Sequence, residues 1–305
     1  MNNPLVSICC LAYNHKKYIR ECLDEFILQK TNFAFEVLIH DDASTDGTAD
    51  IIREYQAKYP EIIKPIYQTE NQYSKGVKPS FTFNFPRARG TYIAMCEGDD
   101  YWTDPLKLQK QVDFLEANLS CIGYCHNFKT IDSNNKTLEE SYIKYQDKKY
   151  TDTYDIIADA SVATLTVVFR NIFDQNPLPN LAMKIGNGDK LLFSWLSTFG
   201  YFYANKNYIA AAYRKHSGGV WSLKPVKHIV QQSILTHEAM LTFLPAKYTG
   251  AVGRKLAGKR AILAVLIYKS NKKEFLEKYW CAIKTCFKYK AFKVFFSLHK
   301  KLVFK

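Results

Sequence analysis

The first 120 residues repeat one unit: a short apolar run, a polar turn, then a segment whose apolar residues recur every three or four positions. Runs of that length bounded by turns are buried strands, and the periodic segments between them are amphipathic helices. Strands that alternate with helices build βαβ units, and these form an α/β fold with a mainly parallel sheet flanked by helices. Leu5 to Ala12 is the first strand. Asn14 is placed to cap a helix reaching Gln29, with Tyr18, Cys22, Phe26 and Gln29 on one face. Phe35 to His40, Ile62 to Tyr67 and Thr91 to Cys96 supply three more strands, with helices predicted to Tyr59, over Ser80 to Ala88 and over Asp104 to Asn118. Pro105 falls in the first turn of the last of these, where proline is tolerated.

The pattern loosens beyond residue 120. Strands are predicted at Ile122 to Ile131 and Ala163 to Phe169 around a polar loop from Ser133 to Tyr154. Gly188 to Phe199 reads as a helix, Tyr201 to Tyr213 as one or two strands, and everything from Pro225 as helical. A division follows: residues 1–224 form the α/β domain, in halves of about 1–120 and 121–224, and residues 225–305 form a helical extension. The extension is basic. Fifteen Lys and Arg against two acidic residues from Thr249 onward account for the whole net charge of +13. Such asymmetry marks a separate functional tail.

The eight cysteines contain no Cys-x-x-Cys pair and lie mostly in apolar segments, so they are predicted to be small buried hydrophobes and not a zinc cluster or disulfide framework. The N-terminal apolar stretch lacks the leader and cleavage site of a secretory signal, and the longest apolar run, Ala261 to Tyr268, is too short to span a bilayer. A cytoplasmic location is the expectation.

Ligands of open α/β sheets bind beyond the carboxyl ends of the strands, and two acidic clusters fall there. Asp41-Asp42-Ala43-Ser44-Thr45-Asp46 follows the second strand; a carboxylate here can accept a base N–H while Ser44 or Thr45 caps the next helix. Glu97-Gly98-Asp99-Asp100 follows the fourth. Three carboxylates in four residues repel one another unless a cation compensates, and Mg2+ or Mn2+ suits oxygen ligands completed by substrate phosphate. Gly98 would let the backbone approach a ligand closely.

The strings VSICCLAYNHKKYIRECLDEFILQ, FEVLIHDDASTDGT and ARGTYIAMCEGDDYWTDPLKLQKQ occur in the order and spacing of glycosyltransferase family 2, and the chain resembles that family over roughly residues 4–222. GNGDKLLFSWLSTFG is similar to the segment that supplies the family's base, and YRKHSGGVWS to a motif that follows it. The resemblance implies a GT-A fold and an inverting transfer from a nucleotide-sugar, with uridine as the preferred nucleoside. It implies that Tyr13, after Ala12, packs on the nucleobase, that Asp42 hydrogen-bonds the base, that Asp99 ligates Mn2+ or Mg2+, and that Asp189 is the general base. Glu97 stands where the family's Asp-x-Asp motif has its first aspartate, which leaves its contact open among ribose, water and metal. Ala12 joins Tyr13, Asp42, Glu97, Asp99 and His216 as the donor-binding set. His216, on a Gly-containing loop, is placed to close over the diphosphate. Against this stands the reading of Asp189 as a helix N-terminal carboxylate favoured by the macrodipole.

In the tail, Leu276, Trp280, Ile283 and Phe287 recur at helical spacing among lysines, and the pattern continues through Phe292, Phe295, Phe296 and Leu302. A basic helix with Trp and Phe suits an anionic membrane surface; no nucleic-acid recognition fold is apparent. The segment Gly253 to Arg260 imitates a phosphate loop but ends in Arg260 where a hydroxyl is needed. The partners expected are thus a nucleotide-sugar donor and a saccharide or lipid-linked acceptor of surface polysaccharide or lipopolysaccharide assembly. Competing readings are a nucleotidyltransferase of related fold, which would want a glycine-rich basic loop in place of Ala12-Tyr13-Asn14-His15, and a non-catalytic membrane-surface binding protein.

Overall fold

The computed structural model describes residues 3–140, 149–159, 162–179, 187–219, 224–268 and 270–303. The chain divides into two compact units. The first comprises Met1–Asp152, Ser161–Lys184 and Phe199–Ser217; the second comprises Thr153–Ala160, Ile185–Thr198 and Gly218–Lys305.

The first unit is built on a ten-stranded sheet. Its early strands are β1 (Val6–Ala12), β2 (Phe35–Asp41), β3 (Ile63–Tyr67) and β4 (Tyr92–Met95), with helices α1 (Ile19–Ile27) and α2 (Thr48–Lys58) between them. β1 lies between β2 and β4, and β3 beyond β2, all parallel. Both faces of β1 are covered: Ser7 and Cys9 are buried on one, and Val6, Ile8 and Cys10 on the other, where they pack in one cluster with the buried Ile19, Cys22, Leu23 and Phe26 of α1. Apolar runs without alternation become doubly covered strands for that reason.

The later strands break the parallel rule. β5 (Tyr101–Trp102), α3 (Lys107–Ala117), β6 (Cys121–Ile131), β7 (Thr137–Glu139), β8 (Tyr150–Thr151), β9 (Val168–Arg170) and β10 (Tyr201–Arg214) complete the unit. β9 enters antiparallel between β4 and β6, β10 runs parallel to β6, and β5 closes the edge antiparallel to β10. The sheet is therefore parallel on one side and mixed on the other, with a single, bulged β10 where one or two strands were expected.

Three local expectations are corrected. Asn14 adopts a left-handed φ of 54° and caps no helix; its side chain instead accepts from the N–H of Thr45, and α1 begins five residues later without a side-chain cap. Ser44 and Thr45 do not cap α2, whose N-cap position is Gly47 with a left-handed φ of 94° and no side-chain cap; Asp46, just before it, accepts from the Thr48 N–H at 2.9 Å, while Ser44 Oγ accepts from Asn14 N–H. Residues 80–88 form a π turn, Ser80–Asn84, followed by a 3-10 turn at Phe85–Arg87 that contains Pro86. Part of the polar loop, residues 141–148, lies outside the described residues; its flanks contain β7 and β8.

The second unit is helical: α4 (Thr153–Ile157), α5 (Gly188–Leu196), α6 (Val226–Phe243), α7 (Thr249–Ile267), α8 (Lys272–Lys288) and α9 (Phe292–Val303). The Gly253 to Arg260 segment is continuous helix within α7, which disposes of any phosphate loop. Gly253 is needed for packing, because a Cβ there would sit 2.1 Å from the Tyr289 ring. Ala282, Ile283 and Cys286 bury one side of α8, while Leu276, Trp280 and Phe287 stay exposed. The expected apolar stripe thus splits, with Ile283 turned inward, Phe295 of α9 partly buried against Ala261, Ala282 and Ile283, and Phe292 and Phe296 outward. Leu302 lies beyond the described side chains. All eight cysteines are free thiols, seven of them buried, as small hydrophobes should be. No helix among the described residues is long and apolar enough to cross a membrane.

Candidate active site

The first unit brings the ends of β1, β2 and β4 together. The Asp42 N–H donates to the Ala12 carbonyl at 2.9 Å, which joins the two loops. Asp42 is buried, and its two carboxylate oxygens accept from the backbone N–H groups of Gln72 (2.7 Å) and Tyr73 (3.0 Å), with His40 Nε2 at 3.3 Å. It anchors the loop after β3, and a carboxylate with about four acceptor positions retains capacity for one more donor. Tyr13 stands beside it with 45% of its surface exposed, a ring face open to stacking.

The acidic turn after β4 resolves its own repulsion more fully than the sequence suggested. Asp100 is turned inward and accepts from the Arg214 backbone N–H at 2.8 Å. Burial, then the charges of Asp99 and Glu97, pushes its carboxyl well above the usual range. Glu97 accepts from the Thr164 hydroxyl at 2.8 Å. Asp99 is different. Burial would raise it, but the hydrogen bond from His216 Nε2 at 2.9 Å, with the His15 ring close by at 3.6 Å, outweighs burial and draws it below the ordinary carboxylate range. His15 is itself pushed below the ordinary imidazole range, by burial first and against the pull of Asp99. Its buried Nδ1 has no hydrogen-bond partner.

Gly98 also meets a packing need. A Cβ there would meet Ile19 Cδ1 at 2.7 Å, His15 Nδ1 at 3.2 Å and the Leu11 carbonyl at 3.3 Å. The close approach is to β1 and α1, and it is what sets Asp99 beside His15.

Two residues of this site escaped sequence reasoning. Arg214 ends β10 with its guanidinium buried: Nε donates to the Asp99 carbonyl (2.8 Å), one terminal nitrogen to Glu21 (2.6 Å), and the other to the Asn135 side chain. It lies over the Tyr18 ring at 4.6 Å. Arg214 therefore holds the acidic turn at two successive residues, through the backbone carbonyl of Asp99 and the side-chain carboxyl of Asp100. The only available hint was its place in YRKHSGGVWS, whose residues Val220 to Ser222 lie outside the described ones. His15, the other, follows the first strand directly.

Asp99 offers carboxylate oxygens that suit Mn2+ or Mg2+, and His216, whose Nε2 donates to Asp99 here, is an imidazole beside it that could join Mn2+ only after giving up that proton. Among the described residues no group of three or more His, Cys, Asp or Glu side chains converges to hold a metal unaided. A cation here would take its remaining ligands from substrate phosphate and water.

Asp189 belongs to the second unit, in the first turn of α5. It is exposed, and its Oδ1 accepts from the Lys190 N–H at 2.8 Å.

The family model described as "Glycosyl transferase family 2" matches residues 7–175. An uncharacterized protein of Mycobacterium tuberculosis is 38% identical over 217 residues, 71% of this chain and 60% of that protein. The chain thus matches less than two thirds of the length of this relative. The UDP-Glc:alpha-D-GlcNAc-diphosphoundecaprenol beta-1,3-glucosyltransferase WfaP of Escherichia coli is 28% identical over 233 residues, covering 75% of this chain and 84% of WfaP. Among solved structures, S. aureus TarS 1-349 in complex with UDP-GlcNAc superposes with a TM-score of 0.66 at 19% identity, over 92% of this chain and 81% of that one. The likeness establishes the GT-A fold, mixed sheet included.

Proposed function

Because the chain belongs to glycosyl transferase family 2, we propose that it moves a sugar from a UDP-linked donor to a hydroxyl of a saccharide or lipid-linked acceptor in surface polysaccharide or lipopolysaccharide assembly. The observation that carries this reading is the turn after β4, where the Asp99 carboxylate lies 2.9 Å from His216 Nε2 while its neighbour Asp100 turns inward to the Arg214 N–H. The names of WfaP and of the TarS complex, one a UDP-Glc-dependent enzyme with a diphosphoundecaprenol-linked acceptor and the other bound to UDP-GlcNAc, support the donor and acceptor classes.

Tyr13 stacks on the base, Asp42 takes a base N–H, and Ala12 and Glu97 line the donor. Use of a divalent metal is common in this family, and Asp99, joined for Mn2+ by His216 once its Nε2 has given up its proton, would hold Mn2+ or Mg2+, which offsets the charge of the leaving diphosphate. Asp189 takes the acceptor hydroxyl's proton as that oxygen bonds to the anomeric carbon; the carbon–oxygen bond to the diphosphate breaks, and the nucleoside diphosphate leaves with the electron pair. One base and direct displacement give inversion. Exposed Leu276, Trp280, Phe287, Phe292 and Phe296, set among the lysines of α8 and α9, support peripheral attachment to an anionic membrane at its cytoplasmic face.

The test is a panel of nucleotide-sugars with Mn2+ and a diphosphate-lipid saccharide acceptor, read as nucleotide release and as anomeric configuration of the product. Asp189→Asn should lower transfer by about 10^2 to 10^4-fold with donor binding retained. Transfer with retained configuration, or an Asp189→Asn variant as active as the parent, sinks the mechanism.

A further inference from the structure

The second unit contains a concentration of charge that the transfer chemistry does not use. Asp159 closes α4 with a left-handed φ of 79°. Three ammonium groups converge on it: Lys190 of α5 at 2.5 Å, Lys255 of α7 at 3.4 Å and Lys259 of α7 at 3.5 Å. Lys255 also donates to the Ala158 carbonyl at 3.0 Å. Burial, outweighed by the bond from Lys190 and then the charges of all three lysines, leaves the Asp159 carboxyl far below its ordinary range. Arg260, one residue further along α7, is already engaged by Glu238 at 2.6 Å.

Three cations on one carboxylate repel each other, and the cluster is not a closed ion-pair network: the lysine side chains keep 20%, 38% and 25% of their surface open to solvent, and Asp159 keeps 37%. The groups the cluster presents are accessible ammoniums, which phosphate oxygens satisfy.

We propose that Lys190, Lys255 and Lys259 form a phosphate-binding subsite that receives the diphosphate joining the acceptor saccharide to its lipid. This rests on the lipid-linked acceptor of the proposed function and extends it, since Lys190 is the residue after Asp189, so the acceptor's diphosphate is gripped one residue along the chain from the base. Asp159 occupies the place of the anion when the ligand is absent, and the ligand displaces it.

The test follows the lysine ε-methylene NMR signals of the full chain during titration with inorganic pyrophosphate, without metal or donor. The signals of Lys190, Lys255 and Lys259 should move together and saturate, and Lys259→Gln should weaken binding about tenfold. Asp159→Asn is the sharper variant, because asparagine tolerates the left-handed backbone. With the competing carboxylate gone, pyrophosphate should bind about tenfold more tightly, and it should restore any stability the substitution costs. If Asp159→Asn lowers stability and leaves pyrophosphate affinity unchanged, the cluster is a structural hub and the proposal is wrong. It is equally wrong if the signals do not saturate, or if Lys272 and Lys273 respond alike. A GlcNAc diphosphate on a short alkyl chain should displace pyrophosphate, whereas phosphatidylglycerol vesicles should not; the reverse assigns the site to lipid headgroups and overturns the acceptor assignment. Failure of the proposed function would look different: no nucleotide-sugar turnover, with pyrophosphate binding intact.

Discussion

The turn after β4 and the end of α4 face opposite electrostatic problems, and each answers with partners from distant parts of the chain. The turn crowds three carboxylates and relieves them unequally: Asp100 turns inward to the Arg214 N–H, Glu97 takes a hydroxyl, and Asp99 lies between His15 and His216. The end of α4 crowds three lysines onto Asp159. In the first unit the charge left over is negative and fits a cation; in the second it is positive and fits an anion. On the function proposed above, the first would serve the leaving group and the second a phosphorylated acceptor.

Neighbouring carboxylates with different partners give the largest expected contrast. Asp99→Asn should reduce nucleotide-sugar turnover by roughly 10^3-fold, whereas Asp100→Asn, which still accepts the Arg214 N–H, should cost less than about tenfold. Steady-state rates at saturating Mn2+ decide it; equal losses would mean that both carboxylates act as anions.

Next comes Arg214. Arg214→Met removes the donor to the Asp99 carbonyl and leaves half-buried Glu21 without its cation. A loss of about 3 to 5 kcal/mol is expected in urea unfolding. A loss under about 1 kcal/mol would show that the turn does not depend on this residue.

Lys107 sharpens the comparison from within the first unit, as a cation buried without a carboxylate. It lies over the Trp102 ring at 4.0 Å and donates to Gln111, and burial pushes it down to about 7. Between that value and 10.5 the unfolded chain holds the proton and the folded chain does not, so stability gained from this group rises with pH across the window and the penalty is full below 7. Measured from pH 7 to 8, below the 9.0 at which the thiols of the unfolded chain ionise, the parent should gain stability with pH, by about 1 kcal/mol. Lys107→Met should flatten that slope. A parallel slope in the variant would assign the dependence elsewhere.

Much of the first unit was legible because its physics is local. Runs such as Val6 to Ala12 and Phe35 to Asp41 are apolar without alternation, which only doubly covered strands require, and the acidic turn sits at a strand end where ligands bind. The misreadings share a cause. Asn14, Ser44 and Thr45 look like helix caps by type, yet left-handed backbone at Asn14 and Ala43 redirects them to each other across the two loops. The antiparallel insertion of β9, the clamp by Arg214 more than a hundred residues from Asp99, and the convergence of Lys190 and Lys255 on Asp159 are pairings between distant segments, and no periodicity records them. Asp189 was legible only through family resemblance, and its exposed place in the first turn of α5 fits the capping role as well as the catalytic one.

The account turns on Asp99 holding a divalent cation that the donor completes. The most direct measurement is the melting temperature of the parent and of Asp99→Asn with a UDP-sugar, with and without Mn2+. The parent should be stabilised by donor and metal together, by about 2.7 kcal/mol at a hundredfold excess over Kd, and only weakly by either alone; Asp99→Asn should lose the metal-dependent part. Metal-dependent stabilisation that survives in Asp99→Asn would contradict the account.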